Sequence, residues 1–140
     1  MKGKRMHDVH VRADRQAMER AHERAGRADE PVLMLNLNRY TPAAGFPDGD
    51  EYCLYMSRLE HSVGAVGGAV LWRTPVIDAV IGCAHDDYDE ILAVWYPSHR
   101  TFLELPAADG AELMFSSRKT CVTHATILAL PADREPLRRD

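Results

Sequence analysis

The chain predicts an α+β domain in the ferredoxin-like order β-α-β-β-α-β, an antiparallel sheet with both helices on one face, preceded by one extra N-terminal helix. Three observations carry this. VLMLNLN (32–38) sets Leu33, Leu35 and Leu37 on one face against Val32, Met34, Asn36 and Asn38 on the other, the period of a strand. Tyr52, Tyr55, Met56, Leu59 and Val63 recur at i, i+3, i+4 and i+7, the period of a helix. EILAVWY (90–96) is apolar on both faces, as a central strand or one at an interface must be.

The remaining elements follow from local chemistry. Asp14 as N-cap and Gly26 as C′ residue bound an alanine-rich helix over 15–25, the core of an N-terminal extension covering 1–30. Pro31 opens the first strand and the main domain, which runs to residue 130. TPAAGFPDGD (41–50) is a Pro/Gly-rich loop long enough for a lid, and Asp48 or Asp50 caps the tyrosine-bearing helix, which Gly67-Gly68 ends. AVLWRT (69–74) reads as the second strand, VIDAVIG (76–82) as the third, AHDDYD (84–89) as a polar turn and EILAVWY as the fourth. Pro97-Ser98 starts a short helix over 99–105. A second helical piece spans 109–119, with Leu113, Met114 and Arg118 as inward positions. Residues 122–129 form the last strand, and 131–140 a polar tail.

If the leucine face of the first strand packs on the helices, the other sheet face carries Met34, Trp72 and one side of EILAVWY. A second copy packed about a two-fold axis covers such a face, so a homodimer, or a higher homo-oligomer, is expected.

Composition narrows the function classes. The 140 residues suit one domain, and net charge is −4, divided as +2 over residues 1–30 and −6 over 31–140. Arg12, Arg15, Arg20, Arg24 and Arg27 are interleaved with Asp14, Glu19 and Glu23, an ion-paired helix rather than a phosphate-binding stripe, so no nucleic-acid partner is expected. No apolar run approaches the roughly 18 residues of a membrane span, and MKGKRMHDVHVRADR lacks the apolar core of a secretory signal. Cys53, Cys83 and Cys121 are odd in number and widely spaced, which suits a reduced, cytoplasmic protein.

PVLMLNLNRY, the tyrosine-rich helix ending in Gly-Gly, VLWRTPVIDAVIG, AHDDYDEILAVWYPSHRTFLEL and Arg118 together resemble the family catalogued as domain of unknown function 1330, in the dimeric α+β barrel superfamily. The resemblance runs from Pro31 to about Leu130, and longer members also carry a helix before the PVxMLNL strand. It implies the fold and the dimer. The wider superfamily includes cofactor-independent monooxygenases, haem-degrading enzymes, muconolactone isomerases and stress-response proteins. The haem-degrading relatives combine an Asn, a Trp and a helix His. Asn36 matches the first and Tyr96 or Trp95 stands near the second, but Ser116-Ser117 fills the histidine's place, so no haem, and no other cofactor, is expected.

Asn36 is the leading catalytic candidate: a carboxamide among aliphatics can donate to a developing oxyanion, or complete a cross-strand bond. His99, in a first helical turn, is the second, as acid/base or as an exposed surface residue. Arg39 and Tyr40 at the strand's end, and Arg118 on the last helix, are substrate-binding candidates. Arg118 could equally pair with Glu51, Glu60 or Glu104. Trp72 and Tyr96 are candidate pocket walls or ordinary packing. His61 and His124 stand alone, and His85-Asp86-Asp87-Tyr88-Asp89 reads as a turn rather than a metal site. The expected function is binding of a small molecule, with monooxygenation or isomerisation of a small aromatic or enolisable compound. The alternative is a non-catalytic structural or ligand-binding dimer.

Overall fold

In the computed structural model, residues 15–132 are described. They run α1 (Arg15–Arg27), β1 (Val32–Tyr40), a 3-10 turn (Pro42–Ala44), α2 (Asp50–Ala65), β2 (Ala69–Pro75), β3 (Glu90–Tyr96), α3 (His99–Leu103), a second 3-10 turn (Leu105–Ala107), α4 (Ala111–Cys121) and β4 (Val122–Pro131). The strands form one four-stranded antiparallel sheet in the order β2-β3-β1-β4, the α+β arrangement that the alternation of elements predicts. EILAVWY is central, as its two apolar faces require.

Local chemistry explains where elements start and stop. Ser98 accepts the Thr101 backbone N–H while the Thr101 hydroxyl accepts the Ser98 N–H, a reciprocal cap that starts α3. α2 is capped by the Gly49 backbone rather than by Asp48 or Asp50, and Asp50 and Glu51 in its first turn complement the helix dipole. It closes at Gly67, whose φ of 84° favours glycine. A Cβ on Gly68 would lie 2.7 Å from Trp95 O, so strand and helix end meet only through glycine there. Gly26 lies inside α1, which continues one residue further to Arg27. The expected Asp14 cap lies outside the described residues, as does the tail from 133.

Two expectations are corrected. Residues 76–82 do not form a strand. The Val76 N–H still bonds Asp89 O at 2.8 Å, after which the chain leaves the sheet with Ile77, Val80 and Ile81 between 90% and 100% exposed. A β-branched composition favours extended backbone but supplies no neighbouring strand, and β2 is already an edge.

The sheet is also oriented oppositely to expectation. Val32, Met34, Asn36, Asn38 and Tyr40 face the helices, with Leu92, Val94 and Tyr96 beside them in one core with Tyr55, Met56, Leu59, Val63 and Met114. Leu33, Leu35, Leu37, Ile91, Ala93 and Trp95 occupy the other face. There Leu33 and Ala93 are fully buried, Leu35, Leu37, Ile91 and Trp95 are half-buried, and Leu128 on neighbouring β4 is 48% exposed. On α4, Met114 points inward as expected but Leu113 is exposed.

Candidate functional site

The helix-facing side of β1 ends in a polar network. Glu90, the first residue of β3 and only 4% exposed, accepts the hydroxyl of Tyr40 on Oε1 and of Tyr52 on Oε2, each at 2.5 Å. Asn38 Nδ2 donates to the Tyr40 oxygen at 3.2 Å, and Arg73 donates to the Tyr52 oxygen at 2.9 Å. Each phenol therefore accepts one bond and donates one, and its donor points at the carboxylate. Phe46 stacks on Tyr40 and meets Tyr52 edge-on, both centroid distances near 5 Å, so the 41–50 loop covers the rings instead of standing open as a lid. Burial, reinforced by Glu90, pushes both phenols well above the ordinary tyrosine range, and burial does the same to Tyr96, so all three are neutral at pH 7.

This network opens on a cleft of about 760 Å3 between α2 and edge strand β2, lined by Tyr52, Met56, Glu60, Trp72, Arg73 and Glu90 among others. The β2–β3 ladder shifts register between Val70 and Trp72. Leu71 goes to the cluster around Leu33 and Ala93, while Trp72 walls the cleft. The Arg73 side chain is exposed, and among the described residues no carboxylate lies within 4 Å of its guanidinium. A cation beside an indole and a phenol over a buried carboxylate can hold an anionic aromatic compound and exchange a proton with it.

The residues singled out from the sequence divide into separate places. Tyr40 and Trp72 belong to this site. Asn36 is buried on the helix-facing side, next along β1 from Asn38, but lines no described cleft, and its Oδ1 has no hydrogen-bond partner among the described residues. Because that oxygen already goes unpaired, Asn36→Val is expected to leave stability within about 1 kcal/mol of the parent in urea unfolding. A loss of 3 kcal/mol or more would show that the amide holds a bond the fold depends on.

Arg39 points to the other side. It pairs with Asp89 at 3.3 Å and reaches Asp87 at 4.0 Å, while His124 meets Asp87 at 2.9 Å and the Tyr88 hydroxyl meets Thr126 at 2.5 Å. The acidic turn is thus a latch that pins the returning β2–β3 connection onto β1 and β4. No group of three potential metal ligands occurs among the described residues. Arg118 donates to the Tyr55 hydroxyl at 2.9 Å rather than pairing with Glu51, Glu60 or Glu104, and it opposes the rise of the Tyr96 phenol. Tyr96 packs edge-on against Phe102 inside the core. His61 pairs with Asp109 on the surface. His99 lies at the far end of the sheet, in a different groove.

Glu90, Tyr52 and Arg73 were not singled out from the sequence. A signal for Glu90 exists: it falls in phase with Leu92, Val94 and Tyr96, a carboxylate on a buried strand face that demands partners.

No family model matches the chain, and no curated protein does. Its structure is similar to that of the RPA0582 protein of unknown function from Rhodopseudomonas palustris, with 24% identity over 93% of this chain and 98% of that one and a TM-score of 0.70. A crystal structure of methylated RPA0582 protein is similar too, with 23% identity, coverage of 91% and 97%, and a TM-score of 0.72. At this identity the likeness establishes a shared α+β fold. No helix among the described residues is long and apolar enough to cross a membrane.

Proposed function

We propose that this chain is a dimeric α+β barrel protein related to the domain-of-unknown-function 1330 family, and that it isomerises a small enolisable aromatic anion in the cleft above Tyr52, Arg73 and Glu90. The observation that carries this reading is the Arg73 guanidinium, without a carboxylate partner among the described residues, bonded to the Tyr52 phenol that donates to the buried Glu90 carboxylate in a cleft walled by Trp72.

The chemistry needs no resident cofactor. Arg73 binds the substrate's carboxylate, and Trp72 and Met56 flank its ring. The Glu90 carboxylate takes a proton from the carbon next to the carbonyl. As that carboxylate becomes neutral, the Tyr52 hydroxyl turns from it to donate to the enolate oxygen. Return of the proton to a different carbon gives the isomer and restores the Glu90 anion, so atoms and charge balance. Of the two reaction classes expected, isomerisation is better supported, because the site offers a proton acceptor and a hydrogen-bond donor. Dimerisation rests on the half-buried leucine face, whose aliphatic side chains another copy would cover.

The test is deuterium uptake at C3 of phenylpyruvate in heavy water, followed by proton NMR. The chain is expected to accelerate exchange over buffer, and Glu90→Gln to remove about two orders of magnitude or more of that acceleration. Exchange at the buffer rate with phenylpyruvate and other aryl keto acids would sink the proposal. One observation favours a second, non-catalytic reading: both Glu90 oxygens are already occupied within the fold. Under that reading Glu90→Gln changes stability alone, with no binding or exchange to lose.

A further inference from the structure

A second groove, of about 500 Å3, lies at the other end of the sheet, where α1, the start of β1 and the end of β4 meet. Glu90 pairs across from Asn38 at one end of β1, whereas this groove gathers around Val32, which pairs across from Tyr96 and Pro131. Its apolar walls are Val32, Ala129, Leu130 and two prolines, with no aromatic ring, unlike the cleft between Tyr52 and Trp72.

Two donors project from these walls. The half-exposed Arg24 has no carboxylate within 4 Å among the described residues. Of the acids nearby, Asp29 is engaged by Arg100, through its backbone N–H at 3.0 Å and its Nε at 3.6 Å, and the exposed Glu30 also lines the groove. His99 Nδ1 is buried with no partner among the described residues. Leaving a bare lone pair there is cheaper than stranding an N–H, so the proton belongs on Nε2 of a ring that lines the groove. Burial first, then Arg24, holds the imidazole below its ordinary value against the opposing pull of Asp29 and Glu30, so the ring is neutral at pH 7. Arg24 and His99 thus offer only donors to whatever enters between them. A carboxylate, an acceptor on both oxygens, satisfies both.

We propose that this groove is a ligand site for a small aliphatic carboxylate, its head held by Arg24 and His99 Nε2 and its chain laid on Val32, Ala129 and Pro131. His99 is then a binding residue, and the site is independent of the Glu90 cleft.

The test is a hexanoate titration of the full chain followed by backbone amide NMR, with hexanol as the uncharged control. Saturable shifts at Val32, His99 and Leu130 are expected with hexanoate and not with hexanol. Arg24→Met is expected to weaken binding about tenfold or more, and Arg24→Lys, which keeps stem and charge, to recover part of it. Unmoved groove amides up to the solubility limit, equal binding by Arg24→Met, or shifts confined to the Tyr52–Trp72 cleft would each overturn the proposal.

Discussion

Glu90→Leu is expected to cost about 3 to 5 kcal/mol of stability, read as a fall in the urea midpoint at unchanged slope. The carboxylate receives the only donor that each of two buried phenols has, and charge-assisted bonds of this kind are worth about 1.5–3 kcal/mol apiece. Leucine fills the volume but leaves both hydroxyls pointing at carbon. Glu90→Gln separates charge from shape. Its carbonyl oxygen still accepts one phenol, while its amide faces a hydroxyl already accepting from Asn38 or Arg73, so about 2 kcal/mol is expected. A parental midpoint for Glu90→Leu would mean that the phenols find other partners at no cost, and that the network does not brace the end of the sheet.

The second large effect concerns the leucine face. Leu35 stands at its centre, across from Ala93 on one side and Leu128 on the other. In a two-fold dimer every substitution occurs twice, so Leu35→Asp would bury two unpaired carboxylates in one interface. At several kcal/mol per buried charge, the dissociation constant is expected to rise by about four orders of magnitude, leaving a folded monomer in sedimentation velocity at micromolar concentration. The parent should sediment as a dimer. A monomeric parent would remove the dimer from the proposed function, and a dimeric Leu35→Asp would place the interface elsewhere.

Which residues share a face of β1 was legible from alternation alone, because side chains on a strand point to opposite sides by geometry. Which face meets the helices was not. Both candidate faces are mostly apolar, and the leucines fit a covering sheet as well as a covering helix. The deciding residues were Asn38 and Tyr40, whose polar ends require partners that only Glu90 and α2 supply. Packing the leucine face on the helices leaves those polar ends without partners and inverts the sheet. The same blindness explains 76–82, since local propensity reports extended backbone but not whether a neighbouring strand exists. Trp72 and Tyr40 could be singled out from the sequence because their chemistry is visible one residue at a time, and the structure places Trp72 on the cleft and Tyr40 in the network beside it. Arg73 was missed because its meaning depends on what is absent around it in space.

The strand order has a consequence for local opening. β1 and β3 are hydrogen-bonded along both edges, so their amides should exchange with solvent only when most of the domain opens. β2 is bonded along one edge and carries an irregularity at Trp72. The cleft therefore has walls of unequal permanence: Glu90 stands on the slow-exchanging β3, while Trp72 and Arg73 ride on a strand that can peel away with its exposed aliphatic extension. Entry to the cleft could then be timed by the breathing of one edge strand while the core stays closed.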